Sequence, residues 1–165
     1  MSQVLTVRAL TREAFAAYGD VIEAGTETQS KAYAVNDGRA MRFHDLAGVD
    51  MTGGRTVLSI FRSEPVQLPF VVRGMERHPE GTQAFVPMHQ MPFLVVVAPG
   101  GNAPEPPLAF LTNGRQGINF RRGTWHHSLL PLHGGDFLVV DRDAPDENCD
   151  EAAYEQGYVI AALIR

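Results

Sequence analysis

Two short stretches hold the residues best suited to chemistry. One is Glu76-Arg77-His78-Pro79-Glu80-Gly81-Thr82-Gln83; the other is Arg122-Gly123-Thr124-Trp125-His126-His127. In a strand, residues two apart share a face, so Glu76 and His78 point the same way. The turn formers Pro79-Glu80-Gly81 are expected to reverse the chain and return Gln83 beside them. His126 and His127 are neighbours, so at most one of them faces inward. If Glu76, His78, Gln83 and His126 converge, they make a polar nest of carboxylate, amide and imidazole. That donor set suits borderline divalent metals such as nickel, zinc, iron or manganese, with Glu76, His78 and His126 as ligands. Spacing alone also allows two ordinary hairpins carrying surface histidines, since Glu-x-His is a weak signal and adjacent histidines are often incidental.

The elements that must position these residues are short and strand-like. Candidate strands are 4–10, 20–23, 32–35, 39–43, 56–62, 68–78, 82–88, 93–98, 108–111, 117–121, 126–132, 136–141 and 158–164. Thr11 is placed to cap a short helix over 12–18, with Gly19 to end it. Turn formers punctuate the strands: Asn36-Asp37-Gly38, Gly53-Gly54, Asn113-Gly114, Gly134-Gly135 and the Pro/Gly-rich segment 99–107. Many short strands with such punctuation predict an all-β barrel or sandwich, not a βαβ fold. The acidic stretch 141–155 reads as a solvated surface loop or short helix.

Bulk properties set the frame. At 165 residues the chain fits one domain, 1–165, able to bury roughly 70% of its unfolded surface without staples. It is 44% hydrophobic and 20% charged, as ordinary globular chains are. A net charge of -5 and no basic block disfavour a nucleic-acid partner. The lone cysteine, Cys149, lies among carboxylates that disfavour a thiolate, so it is not read as a nucleophile. The opening MSQVLTVRALTREAF lacks an apolar core of the signal-peptide kind, and the longest apolar run, 93–99, is far short of a membrane span. A reducing, cytoplasmic setting without a membrane partner is expected.

The two clusters together resemble the paired motifs of cupins. Gly123-x-x-His126 sits where cupins place a turn glycine and an inward histidine. Cupins usually carry His-x-His and then Glu; here Glu76 takes the first histidine position and Gln83 stands near the glutamate position. That departure is similar to one family, ureidoglycolate lyase. Glu76-Arg77-His78-Pro79, Thr82-Gln83-Ala84-Phe85, Phe110-Leu111-Thr112-Asn113-Gly114, Trp125-His126-His127 and Asp146-x-Asn148-Cys149-Asp150 all resemble it. So do Phe15-x-x-Tyr18-Gly19-Asp20-Val21-Ile22 and Phe43-His44-Asp45-Leu46. The resemblance implies a cupin-like double-stranded β-helix (jelly-roll) barrel with a short N-terminal helix, and a homodimer. It implies cleavage of (S)-ureidoglycolate to glyoxylate and urea, late in allantoin and purine degradation. It points to nickel as the divalent metal and to no organic cofactor.

For such a substrate, His126 and His78 are the candidate base and acid, with Glu76 beside them. Gln83 can ligate weakly or orient a urea amide. Arg62 and Arg42 are candidates for the substrate carboxylate, because a guanidinium matches two oxygens. His44 is a further candidate contact. Trp125 is expected in the core, and His89, His127 and His133 at the surface. The open strand edge 4–10 is expected to pair across a dimer axis. The alternatives are another metal-dependent cupin enzyme acting on a small hydroxy or keto acid, and a cupin that binds such an acid without turnover.

Overall fold

The computed structural model describes residues 3–25, 31–161 and 163. In chain order the elements are β1 (Gln3–Val4), β2 (Val7–Ala9), α1 (Arg12–Phe15), β3 (Gly19–Ile22), β4 (Lys31–Val35), β5 (Ala40–His44), β6 (Arg55–Ser63) and β7 (Phe70–Arg77). There follow β8 (Gln83–Pro87), β9 (Phe93–Ala98), β10 (Leu108–Leu111), β11 (Gly117–Phe120), β12 (Trp125–His126), β13 (Leu130–Pro131), β14 (Gly135–Asp143) and β15 (Asp150–Ile160). The all-β expectation holds. Two sheets curl over one another as a cupin-like β-barrel, with one short helix near the start. One sheet runs β1-β15-β7-β12-β9-β10-β2, with β13 also on β9; the other runs β3-β11-β8-β14-β6. Among the described residues no helix is long and apolar enough to cross a membrane.

The apolar run 93–98 predicts a strand buried on both faces, and β9 is that strand. Phe93, Val95 and Val97 face the barrel interior with Phe85, Ile118, Phe120, Phe137 and Val139. Leu94, Val96 and Ala98 face a second cluster with Val72, Met75, Trp125 and Ile160. Trp125 is therefore a core residue, as expected.

The N-terminal run forms the two edge strands of one sheet. Gln3 and Val4 pair with Tyr158 and Val159 on β15, while Val7, Arg8 and Ala9 pair with Ala109, Phe110 and Leu111 on β10. One segment thus ties β15 and β10 together, and β1 and β2 are that sheet's own edges. Thr11 caps α1 as expected, accepting from Ala14 N at 3.1 Å. The helix stops at Phe15, not Tyr18, because Phe15 is fully buried and the chain turns to bring Gly19 into β3. A Cβ on Gly19 would lie 1.9 Å from the carbonyl oxygen of Asn119, so only glycine permits this approach.

The acidic stretch is also corrected. β14 continues to Asp143 and β15 begins at Asp150, leaving a loop over 144–149. The carboxylates are tolerated on strands because arginines on neighbouring strands meet them: Asp143 pairs with Arg55 at 2.6 Å and Asp150 with Arg77 at 2.8 Å. β15 was expected at 158–164; it starts earlier, and its expected end at Ile164 lies outside the described residues.

Candidate active site

Glu76 is the penultimate residue of β7, and His78 follows the strand by one residue. β12 meets β7 at one residue pair, His126 opposite Glu76. The two motifs are also tied at their turns. Gly123, at φ 72°, donates its N–H to the carbonyl of His78 at 2.9 Å. Arg122 donates to the carbonyl of Pro79 at 3.0 Å and reaches Glu80 and Asp50. The turn at Pro79 does not form a hairpin. It carries the chain from one sheet to the other, so Gln83 arrives on β8 opposite Phe120 of β11. Gln83 and His78 nevertheless line one cavity.

The donor atoms of Glu76, His78 and His126 all lie within 4.8 Å of one another. His126 Nε2 stands 3.5 Å from Glu76 Oε1, and the two imidazole centroids are 5.2 Å apart. Each ring is oriented from its other side. His78 Nδ1 donates to the Asn148 carbonyl at 2.8 Å, and His126 Nδ1 donates to the Thr124 carbonyl at 2.8 Å. A carbonyl only accepts, so in the neutral rings the proton sits on Nδ1 and the lone pair on Nε2. Both Nε2 atoms are buried without a hydrogen-bond partner. Two lone pairs and a carboxylate oxygen therefore converge, and they fit a proton or a divalent cation between them.

His126 is 1% exposed and stacked on Phe120 with centroids 4.1 Å apart. Burial pushes its pKa below 6.5, against an opposing pull from Glu76. Glu76 is itself held below 4.5, first by its closeness to His126 Nε2, with its own burial opposing. Burial decides the ring's state: His126 is neutral at neutral pH. Cys149 is no rival nucleophile, because burial first, and then Glu76 and neighbouring carboxylates, push its thiol up. It does form a second group with Glu76 and Glu151, sharing the Glu76 carboxylate.

Two hollows border the cluster. A cavity of about 250 Å³ is lined by His78, Thr82, Gln83, Asp141 and Asn148, among others. Beyond the Glu76–His126 pair, β7 and the chain after β12 part. There an open groove of about 560 Å³ exposes Glu76, Arg73, His127 and Ser128. His127 lies on the other side of its strand from His126, its ring edge against Phe70.

The remaining candidates lie elsewhere. Arg62, on β6, is 83% exposed and forms a bidentate pair with Asp136 at 2.8 and 2.9 Å. Arg42 and His44 sit on the β4–β5 hairpin, a separate two-stranded sheet, with Arg42 5.9 Å from the centre of the Tyr33 ring. None of the three lines the cavity or the groove. His89 is half-buried against Phe137. Asn148 was not anticipated: its carbonyl orients His78, and its side chain accepts from Glu80 N at 2.7 Å. Its stretch, Asp146-x-Asn148-Cys149-Asp150, resembled the family, yet its acidity read as solvated surface.

Both folded pKa values lie below their ordinary ones, so the native state binds fewer protons than the unfolded chain. The stability they contribute is complete above the ordinary values and lost as pH falls through the folded ones. In chelated protein the thermal midpoint should hold through neutral pH and fall on acidification below about 6.5. His126→Asn should flatten the upper part of that fall. An acid limb unchanged in the variant contradicts the assignment.

Comparison with known proteins agrees with this geometry. Residues 2–161 match the ureidoglycolate lyase family. A ureidoglycolate lyase of Pseudomonas syringae pv. tomato is 48% identical over 93% of this chain and 92% of its own length. One from Pseudomonas fluorescens SBW25 is 48% identical over 93% of both chains, and one from Stutzerimonas stutzeri is 49% identical over 90% of this chain and 89% of its own. With a family match over nearly its whole length and such relatives, the chain belongs to the ureidoglycolate lyase family.

Proposed function

We propose that this protein is a carbon–nitrogen lyase that cleaves (S)-ureidoglycolate to glyoxylate and urea, in allantoin and purine degradation. The observation that carries the reading, beyond kinship, is the convergence of Glu76, His78 and the buried His126 with both Nε2 lone pairs free.

Ureidoglycolate is a carbinolamide: one carbon bears a hydroxyl, a hydrogen, a carboxylate and a urea nitrogen. Its collapse moves one proton. An Nε2 lone pair of His78 or His126 takes the hydroxyl proton, the C=O bond forms and the C–N bond breaks. The imidazolium so formed returns the proton to the departing nitrogen. Burial keeps His126 neutral and therefore able to accept. Its Nδ1–H bond to Thr124, like that of His78 to Asn148, fixes the lone pair's direction. Alternatively, a divalent cation on Glu76, His78 and His126, nickel by family resemblance, would occupy those lone pairs and instead supply Lewis acidity for the alkoxide and carboxylate. The donor set lacks a fourth strong ligand, so binding should be weak. Residues 1–165 would act as one catalytic domain in the cytoplasm, with no organic cofactor.

The protein is proposed to work as a homodimer. The support is the open sheet edges: β1 and β2 end one sheet, and β6 ends the other. Among the described residues this nine-residue strand, β6, pairs on one side only, with β14, and presents Leu58 and Ile60 at 71% and 50% exposure. Long exposed apolar edges need cover. Light scattering at micromolar concentration should give twice the chain mass; a monomer counts against the dimer.

Hydrolysing the urea carbonyl instead would need a stronger metal-activated water or an activated nucleophile, and Cys149 is not one. Pure protein incubated with ureidoglycolate should therefore release urea stoichiometrically before any urease is added. Exhaustive chelation should lower the rate, and nickel or manganese should restore it. Ammonia without urea overturns the lyase reading, while full activity in verified metal-free enzyme assigns the work to the side chains alone. His126→Ala should lose at least about 10²-fold in turnover, as expected for a general acid–base group or ligand. His127→Ala, altered on the open groove, should stay within about threefold. Equal losses would contradict the inward and outward assignment.

A further inference from the structure

We infer that Asp141, with Gln83, forms the subsite for the ureido end of the substrate and selects against acids that lack it. The inference rests on the proposed reaction and adds a specificity residue to it.

Gln83 is 8% exposed. Its Nε2 donates to Asp141 Oδ2 at 3.5 Å, and a carboxylate can only accept. The amide is thereby oriented: its NH₂ is turned to Asp141, and Oε1 is left buried without a donor. Asp141 is short of a partner in the same sense. Among the described residues no arginine, lysine or histidine pairs with it. Arg142, next in the chain, is committed to the Thr52 carbonyl at 2.6 Å and to both oxygens of Asp146 at 2.8 and 3.0 Å. The cavity shared by Asp141, Gln83 and His78 thus offers acceptors in excess of donors.

Such a wall has a definite chemical complement. A ureido group, –NH–CO–NH₂, presents N–H groups along one edge and carries no negative charge. It can donate to Gln83 Oε1 and to Asp141 while its inner nitrogen faces His78. A carboxylate in the same place would bring like charge to Asp141 and supply no hydrogen to Gln83. The substrate's own carboxylate must therefore lie at the other end, toward Glu76 and the cation-binding cluster. Orientation and selectivity follow from one pair of residues.

The test uses ligands that cannot be cleaved, so it does not depend on turnover. N-carbamoylglycine carries the ureido group and a carboxylate; glycolate carries the hydroxyl and carboxylate without the ureido group. By titration calorimetry the wild-type protein should bind N-carbamoylglycine at least about tenfold tighter than glycolate, the worth of one or two hydrogen bonds. Asp141→Asn should erase most of that margin and leave glycolate affinity within about twofold, since a single surface-accessible amide for carboxylate exchange perturbs little else. A margin retained in the variant, or absent from the wild type, overturns the assignment. So does an equal weakening of both ligands, which is what a merely structural role would give. Failure to release urea from ureidoglycolate, in contrast, strikes the proposed reaction and leaves the subsite measurement standing.

Discussion

Two imidazole lone pairs and a carboxylate aimed at one another make an arrangement that water would ordinarily relieve. Here it is held by force of geometry. Each ring is pinned through Nδ1 to a backbone carbonyl, so neither can turn its lone pair away. The carbonyls belong to Asn148, on the loop before β15, and Thr124, in the turn before β12. Fixing the two rings therefore requires that two distant turns be fixed first. Phe120 closes over His126 from the opposite sheet, removing the solvent that would otherwise soften the repulsion. What remains is a half-buried cluster of unpaired acceptors that a divalent cation would satisfy.

The fold supports that constraint through a few connections. Gly123 N–H to the His78 carbonyl and Arg122 to Pro79 bind the two motifs turn to turn, independently of their strands. β9, buried on both faces, lies against β12 and fixes the depth of His126 through the His126–Val97 register. The N-terminal segment bridges the far end of β15 to β10, while the loop carrying Asn148 is held where Asp150 pairs with Arg77 at the start of β15. Site and barrel closure are one mechanical problem.

Local rules could read those parts of this arrangement that are local. Period two put Glu76 and His78 on one side, and the turn glycine selected His126 over His127 as the inward residue. The continuous apolar run identified β9. Non-local pairings escaped. Asn148 meets His78 across 70 residues of sequence, and nothing in its acidic neighbourhood marks it as a latch. The carboxylates of 141–155 argued for solvent, because the arginines that neutralise them come from β6 and β7. Gln83 reached the cavity by crossing between sheets, not by the hairpin that Pro79-Glu80-Gly81 suggested. The guanidinium candidates failed to gather for a similar reason: Arg62 had a cross-strand aspartate within reach, and sequence spacing does not reveal such competition.

That last point bears on how the chemistry is divided. Among the described residues lining the cavity, the one arginine is Arg142, already spent on Asp146 and Thr52, and the groove offers only the exposed Arg73. A dianionic transition state, carboxylate plus developing alkoxide, would meet acceptors almost everywhere it turned. Under the proposed reaction, the positive charge would come from a cation between Glu76, His78 and His126. In the proposed reaction, a cation that satisfied this cluster would also meet the substrate's negative end. An arginine clamp inside the barrel would have relaxed both needs at once, and with them the reason for keeping the Nε2 atoms unpartnered.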